Sequence, residues 1–386
     1  YLHTSKNLKA VFLLIDIRHD PSANDKMMYD WILNNGYEPI IIATKLDKLK
    51  RSQVQKNIKA ISVLSGFSQT TVSNVLNCKK GVKPSTAEKV LKAAQEIGYL
   101  NINKIDDIQL VMYKKTGEVL TETPLINSLL EGIENEAKLN GLSTIICNLR
   151  EEDSDFEIKL SDLLMSYRSG IILLATEMEW KDIQRFQEIS NRMVVVDAWF
   201  PEGQFDTVLM NNTDSFYSMV VYLYQNGHRQ IGLIDSSFEI QNFRFRKRGF
   251  LNAMQELKLP CNSENFLKVH PTMSGAYEDM KIYLSHHPKL PTAFCVINDI
   301  IAFGVMKALK EFGYKIPEDV SLIGFDNMPF CEIMSPQLTT IDILKREMGE
   351  MAVRLILAKI QKTYNYPLKI QLSTSLRERE SVMKII

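Results

Sequence analysis

Three short helical patterns lie close together between Ile58 and Tyr99, and they constrain the fold more than any other feature of the sequence. Gly66 follows the first pattern and can supply a sharp turn. Apolar residues at helical spacing define this first pattern: Ile58, Ile61 and Leu64. Three helices with a glycine turn between the first two are typical of a helix-turn-helix.

The second and third patterns carry their own helix-start signals. Ser68 is expected to be the N-cap of the second helix, accepting a hydrogen bond from the backbone N–H near Thr71. Ser85 and Glu88 have the spacing of a capping box at the start of the third helix, and Gly98 stands where that helix should end. The inward-facing side chains are predicted to be Val72, Val75 and Leu76 in the second helix and Val90, Leu91, Ala94 and Ile97 in the third.

The outward face of the second helix is polar, with Gln69, Thr70, Ser73, Asn74 and Asn77. Such side chains can meet base edges in a major groove, where Gln or Asn pairs with adenine through two hydrogen bonds. The surrounding residues 50–104 contain ten basic and two acidic residues, a net charge of +8, whereas the whole chain has 46 of each kind. The segment can therefore neutralise DNA phosphates. A solvated three-helix module with a lysine-rich surface explains these features equally well.

After this segment, eight apolar runs alternate with amphipathic stretches. They read IQLVMY, STIICNL, GIILLA, RMVVVD, QIGLID, NFLKV, AFCVIN and SLIGFD. Continuous apolar strands separated by helices indicate parallel sheets covered on both faces. Eight strands exceed one modest lobe, so the fold class is α/β with two doubly wound lobes and a ligand cleft at the carboxyl ends of the strands.

Several of these strands end in a polar residue: Asp197, Asp235, Asn298 and Asp326. Because the carboxyl ends of parallel strands meet at one edge of a sheet, these side chains are expected to converge on the cleft. A helix cap or a turn is the alternative role for each of them taken singly.

The motifs SGFSQTTVSNVLN and KVLKAAQEIGY resemble the headpiece of the LacI/GalR family of transcriptional regulators, and the resemblance continues to the end of the chain. It implies a homodimeric repressor or activator, with a periplasmic-binding-protein-like effector domain, that binds a double-stranded operator and senses a sugar or another small metabolite. It also implies DNA contacts by Ser68, Gln69, Thr70, Thr71, Ser73, Asn74, Asn77, Lys79 and Lys80.

Two positions depart from the family pattern. Asn74 stands where the family very often has Arg, which leaves the preferred operator open. Only LNINKIDD separates Tyr99 from the first strand, so there is no room for the hinge helix that normally wedges a leucine into the minor groove. We therefore expect little kinking of the DNA.

The same resemblance nominates effector-binding residues. RFRKRGF is similar to the family's RxxGF motif and places Arg246 in the pocket, IGFDN places Asp326 opposite, and VINDIIAFG adds Asn298. A guanidinium facing a carboxylate suits a vicinal diol. The segment VVVDAWF adds Asp197 and two rings, Trp199 and Phe200, that could stack on a sugar or pack in the core.

The first residues carry a strand–helix–strand pattern: AVFLLID, NDKMMYDWILNNG and PIIIATK. Residues 9–59 resemble part of the EngB/YsxC ribosome-biogenesis GTPases, including the motif TKLD at 44–47. The phosphate-binding loop G-x-x-x-x-G-K-[ST] does not occur in these residues, so nucleotide binding is not expected. A gene fusion or a misassembled reading frame is the favoured explanation.

The remaining features favour regulation over catalysis. The scattered histidines and the five unpaired cysteines suggest no metal, no cofactor and a reducing cytoplasm. No apolar run is long enough for a membrane helix. The predicted domains are residues 1–56 (GTPase-like fragment), 57–99 (DNA-binding domain), 100–107 (linker) and 108–386 (effector and dimerisation domain). A sugar receptor without DNA binding and a nonfunctional fusion are the alternatives to a carbohydrate-gene repressor.

Overall fold

The computed structural model describes residues 11–16, 21–35, 37, 39–44, 51–77, 82–99, 105–117, 119, 125–361 and 363–385. The chain divides into two compact units, Tyr1–Asn101 and Ile102–Ile386. None of the helices in these described ranges is long and apolar enough to cross a membrane.

The first unit begins with a strand–helix–strand element, as the sequence predicts. It consists of β1 (Val11–Asp16), α1 (Ala23–Asn34) and β2 (Pro39–Thr44), and the two strands pair in parallel. Ser22 and Asp25 form a reciprocal capping box at the start of α1. Residues 45–47 of the GTPase-like motif lie outside the described residues, and the resemblance to GTPases stays a prediction.

The predicted three-helix module follows as α2 (Arg51–Ser65), α3 (Gln69–Leu76) and α4 (Pro84–Glu96). Gly66 makes the turn between α2 and α3 with a positive φ of 75°. The Ser68 hydroxyl accepts a hydrogen bond from the Thr71 backbone N–H at 3.1 Å, which confirms the predicted N-cap. Gly98, with φ 69°, follows the end of α4.

The core of this module contains Ile61, Val72, Val75, Val90 and Ala94. Three sequence-based expectations fail. Ile97, which the helical spacing places on the inward face, is 38% exposed, because α4 ends one residue earlier at Glu96. Leu64 is 51% exposed, because it belongs to the last turn of α2, beyond the packed part of the helix. Ser85 lies inside α4, which begins at Pro84, because proline has the backbone φ of a first helical residue.

The second unit contains two lobes, each built on a six-stranded sheet. The sheet of lobe 1 has the order β13-β7-β6-β5-β3-β4. Its strands are β3 (Asp107–Lys114), β4 (Ser143–Arg150), β5 (Ser169–Leu174), β6 (Met193–Val196), β7 (Asp206–Met210) and β13 (Lys369–Leu372). Its helices are α5 (Leu125–Leu139), α6 (Phe156–Met165), α7 (Trp180–Ile183), a 3-10 helix (Gln184–Arg192) and α13 (Lys345–Ile360).

The sheet of lobe 2 has the order β14-β12-β11-β10-β8-β9, and only β14 runs antiparallel to its neighbour. Its strands are β8 (Ile231–Ser236), β9 (Phe266–Val269), β10 (Ala293–Val296), β11 (Ser321–Phe325), β12 (Thr339–Ile343) and β14 (Thr374–Arg377). Its helices are α8 (Asn212–Gln225), α9 (Gln241–Glu256), a 3-10 helix (Ser263–Asn265), α10 (Met273–Ser285), α11 (Asp299–Glu311) and α12 (Phe330–Ile333).

The chain passes between the lobes after β7, after β12 and after β13, because α13 packs on the sheet of lobe 1 whereas α8 packs on α9 in lobe 2. The central strand β3 buries both of its faces: Leu110 and Met112 join one apolar cluster, while Val111 and Tyr113 join another. All eight predicted apolar runs form strands. The structure adds four strands that the sequence does not predict: β7, β12, β13 and β14.

Candidate functional site

Arg246 is the centre of a buried polar cluster at the carboxyl ends of the lobe 2 strands. It extends from α9, and its guanidinium donates to the Asn212 Oδ1 at 2.8 Å and to the Ile297 carbonyl at 2.7 Å. The remaining nitrogen lies 3.6 Å from a carboxylate oxygen of Asp326, at the end of β11. The ring of Phe325 stacks under the guanidinium at 3.7 Å. These contacts hold the plane of the Arg246 guanidinium in one orientation.

Three buried carboxylates surround this arginine. Burial raises the pKa of Asp326 to about 7, since loss of hydration outweighs the attraction of Arg246, and the neighbouring Asp299 raises it further. Burial also raises the pKa of Asp197 and of Asp299. Because this pKa lies close to neutral pH, a ligand that binds beside Asp326 can change its protonation state.

Asp197 brings lobe 1 into the cluster. It follows β6 in the left-handed region, with φ 65°. The Asn242 side chain, on α9 of lobe 2, donates to the Asp197 carboxylate at 2.8 Å and to its carbonyl at 3.0 Å. Thr176, after β5, donates to the other carboxylate oxygen at 2.6 Å. The Asp197–Asn242 pair is thus a direct hydrogen-bonded link between the two lobes.

A second link between the lobes lies next to the first. The Gln241 side chain accepts from the Trp199 backbone N–H at 2.6 Å and donates to the Trp199 carbonyl. Because Gln241 and Asn242 are consecutive in the first turn of α9, this one turn holds the segment after β6. These hydrogen bonds therefore contribute to holding the two lobes at the observed angle.

The structure brings together three of the predicted effector-binding residues: Asp197, Arg246 and Asp326. Asn298 is buried nearby, where its side chain caps α11 by accepting from the Ile301 N–H at 3.0 Å. Phe200 packs in the lobe 1 core beside Trp180, and Trp199 stacks on Phe245 outside the cluster. Asp235 does not join the cluster, because its carboxylate pairs with Lys247 at 3.6 Å.

Sequence reasoning misses Asn242, Asn212 and Thr176. Asn242 lies four residues before Arg246, so helical spacing could have placed both on the same face of α9. Thr176 and Asn212 follow strands β5 and β7, and β7 is itself missed. A further buried carboxylate, Glu177, accepts four backbone N–H groups from the loop after β3: Lys115, Thr116, Gly117 and Val119.

The predicted DNA-contacting face lies on α3. Gln69 and Thr70 are exposed, and Ser73 and Asn74 are half-buried. Thr71 pairs with the Ser68 hydroxyl, and the Asn77 amide donates back to the Ser73 carbonyl at 2.7 Å. Lys79 and Lys80 lie outside the described residues. Within the ranges that the structure describes, no cluster of His, Cys, Asp or Glu could hold a metal ion.

Comparison with known proteins decides the family. Residues 57–101 match the profile "Bacterial regulatory proteins, lacI family", and residues 220–382 match the periplasmic binding protein-like domain. The HTH-type transcriptional repressor PurR of Actinobacillus pleuropneumoniae serotype 3 (strain JL03) is 30% identical over 332 residues, which are 85% of this chain and 98% of that protein. The chain belongs to the lacI family of bacterial regulatory proteins. The resemblance expected from the headpiece and pocket motifs is thereby confirmed.

Solved structures of lacI-family proteins have the same fold. One is a LacI family transcriptional regulator from Enterococcus faecium with bound ribose, at 26% identity and a TM-score of 0.61 over 72% of this chain and 100% of that one. Another is the lac repressor dimer bound to operator and the anti-inducer ONPF, at 21% identity and a TM-score of 0.63 over 84% of this chain and 98% of that one. The predicted helix-turn-helix and two-lobe architecture is confirmed.

Proposed function

We propose that this lacI-family chain represses carbohydrate-metabolism genes as a homodimer, and that a small sugar bound between the two lobes controls its affinity for operator DNA. The observation that carries the proposal is the buried cluster of Arg246, Asp326 and Asp197, which joins both lobes. This cluster can bind a ligand, and because it joins both lobes, it can couple that binding to a change in the angle between them.

The chemistry of the cluster favours a sugar. A planar guanidinium and a carboxylate 3.6 Å apart can together donate to and accept from two neighbouring hydroxyl groups. The buried rings of Phe325 and Phe243 lie against the guanidinium and hold it in place for these hydrogen bonds. The Enterococcus faecium relative, with bound ribose, supports this class of ligand.

Coupling to DNA is proposed to act through the inter-lobe hydrogen bonds. A hydroxyl group that binds Asp197 competes with Asn242 for the same carboxylate oxygen. Because Gln241 and Asn242 share one helical turn, loss of one bond weakens its neighbour and shifts the equilibrium between lobe arrangements. A ligand shifts this equilibrium only if its affinity differs between the two lobe arrangements.

We propose that the DNA-binding unit contacts DNA through the polar face of α3. Gln69 and Asn74 are the proposed base-reading residues, together with Thr70. Ser68, Thr71, Ser73 and Asn77 are assigned to the DNA backbone, and so are Lys79 and Lys80. Base readout by the amides and neutralisation of phosphates by the lysines would give sequence-specific binding that weakens with salt.

Self-association is proposed through an apolar surface on lobe 2. Met273, Phe330 and Ile333 are all exposed. The Phe330 ring lies 6.1 Å from the ring of Phe303 on α11, and Gly304 on the same helix lies against the Met273 backbone, so both exposed segments pack on α11. Exposed apolar patches of this kind mark protein interfaces.

Replacement of Arg246 tests the pocket. We expect Arg246→Ala to abolish the effect of sugar on operator binding, because it removes the donor to the ligand hydroxyl groups and leaves Asp326 unpaired. Operator affinity without sugar should be unchanged, since Arg246 lies in the other unit. The measurement is operator binding by fluorescence anisotropy, with and without each sugar of a panel.

Two further variants make this test specific. Arg246→Lys keeps the charge but loses the planar geometry, and it should respond weakly. Arg185→Ala removes an exposed arginine that pairs with Glu157 at 2.6 Å on lobe 1, and it should respond as the unmodified chain does. A normal sugar response of a folded Arg246→Ala chain would refute the pocket.

A sugar receptor without functional DNA binding is the second candidate. The short segment between the two units, LNINKIDD, favours it, since the family's hinge helix has no room there. Sugar binding that persists while DNA binding shows no sequence preference would establish this alternative.

A further inference from the structure

A second pocket lies beside α9, next to the Arg246 cluster, with which it shares Asn212 and Met210. It consists of two adjoining cavities of about 160 Å³ and 460 Å³. Trp199, Phe245 and Arg248 line both cavities. Lobe 1 contributes Trp199 and β13 to its walls, and lobe 2 contributes α9 and the start of α8.

Two aromatic rings form one wall of this pocket. The rings of Trp199 and Phe245 stack with a centroid distance of 6.1 Å and an interplanar angle of 30°. The stack joins the lobes, since Trp199 follows β6 and Phe245 belongs to α9. It offers a flat apolar surface at the mouth of a pocket, which suits a planar ring.

Three cations surround the aromatic wall. The ammonium group of Lys369 lies 3.3 Å from the centre of the Trp199 ring, and Arg244 and Arg248 line the pocket from α9. Burial lowers the pKa of Lys369. No acidic residue lines either cavity, and within the described part of the chain neither arginine makes an ion pair. Three like charges gathered without a counter-charge attract an anion.

We propose that this pocket binds a planar aromatic ligand that carries a phosphate group, such as a nucleoside monophosphate. Arg244 and Arg248 hold the phosphate, and Lys369 moves off the Trp199 ring to join them. The aromatic ring of the ligand then takes the place of the ammonium group on Trp199. Guanidinium groups bind phosphate through paired, charge-assisted hydrogen bonds.

The position of the pocket makes it a second site at which a ligand can control the arrangement of the lobes. Asn212 and Met210 line the smaller cavity, and both contact Arg246 from the opposite side. The Trp199 backbone is held by Gln241, which forms one of the inter-lobe links. A ligand that bridges Trp199 and α9 therefore stabilises the lobe arrangement described above. The proposal holds whether or not the ligand of the Arg246 cluster is a sugar.

Isothermal titration calorimetry of the full chain with three probes tests the proposal. Adenosine 5′-monophosphate combines the ring and the phosphate, adenosine keeps the ring alone, and inorganic phosphate keeps the anion alone. We expect the nucleotide to bind and each part to bind at least about tenfold more weakly, since charge-assisted hydrogen bonds and stacking both contribute. Binding of none of the three would overturn the proposal.

Matched variants on the same helix locate the site. Arg248→Ala and Lys369→Met should each weaken nucleotide binding by at least about tenfold. Lys247→Ala removes one positive charge from the neighbouring position of α9 outside the pocket, and it should leave binding unchanged. Equal weakening by Arg248→Ala and Lys247→Ala would mean attraction by general surface charge and would overturn the site. Circular dichroism of each variant checks that the chain is folded.

Discussion

Asp326 connects the burial of the cluster to the pH dependence of stability. Its pKa is raised to about 7 in the folded chain and lies near 3.9 in an unfolded one. Between these values the folded chain holds a proton that the unfolded chain has lost. The contribution of Asp326 to stability should therefore fall as pH rises from about 4 to 7 and should level off above pH 7.

Asp326→Asn tests this assignment, since an amide cannot ionise. From urea denaturation at pH 5 and pH 8, the unmodified chain should lose roughly 1–3 kcal/mol more stability over this interval than the variant does. Asp342→Asn, at a half-buried carboxylate that pairs with the exposed Arg377, is the control and should keep the original pH dependence. An unchanged pH dependence in Asp326→Asn would contradict the assignment.

Individual site residues differ in how far the sequence could predict them. Asp197, Arg246 and Asp326 follow from strand ends and from a family motif. Trp199 and Phe200 look alike in the sequence, yet Phe200 packs in the core and Trp199 stacks at the edge of a second pocket. Their positions depend on Gln241 and Trp180, which come from distant parts of the chain, and one sequence does not reveal such contacts.

At the scale of elements, the close packing of α8 against α9 positions the site. Gly249 on α9 permits this packing, because a Cβ there would lie 2.0 Å from the Thr213 carbonyl oxygen. Arg246 and Asn242 lie one and two turns before Gly249 on the same helix. The separation of the two helices therefore sets the distance from Arg246 to Asn212.

Gly249→Ala should force the two helices apart and lower the free energy of unfolding by roughly 1–3 kcal/mol. Asn252→Ala, on the exposed side of the same helix, should change stability by less than about 0.5 kcal/mol. Chemical denaturation of both variants measures the difference. A Gly249→Ala chain as stable as the Asn252→Ala chain would contradict this account, because it would show that α8 and α9 leave space for a Cβ at residue 249.

The strands also show which elements the sequence pattern does not predict. The eight predicted strands are continuous apolar runs. The missed strands β7, β12, β13 and β14 lie where the chain passes between lobes, and β13 and β14 alternate exposed and half-buried residues. Their pairing depends on contacts distant in sequence: the Asp206 carboxylate, at the start of β7, accepts from the Leu368 N–H just before β13.

At the scale of the whole molecule, the proposed dimer depends on the apolar surface at α12. Ile333 is 74% exposed there. Ile333→Glu should shift the chain from dimer towards monomer, because an interface cannot bury an unpaired carboxylate without cost. Sedimentation velocity at several protein concentrations measures the shift. Ile158→Glu changes an isoleucine of lobe 1 that is 58% exposed, and it should leave the association state unchanged.

Two lobes follow from the number of predicted strands, and a DNA-binding unit follows from helix spacing and local charge. The strand–helix–strand element that precedes the three helices also follows from the sequence pattern. Its exposed apolar residues, including Phe12, Leu14 and Ile41, have no explanation in the regulator function.

The central claim is that one chain joins sequence-specific DNA binding to control by a sugar. The most direct test measures binding of the purified chain to its own upstream intergenic DNA across a salt series, with and without a panel of sugars. The proposal predicts salt-dependent binding that prefers this DNA to an unrelated fragment and that one sugar changes. Equal affinity for both fragments at every salt concentration, unaffected by any sugar, would contradict it.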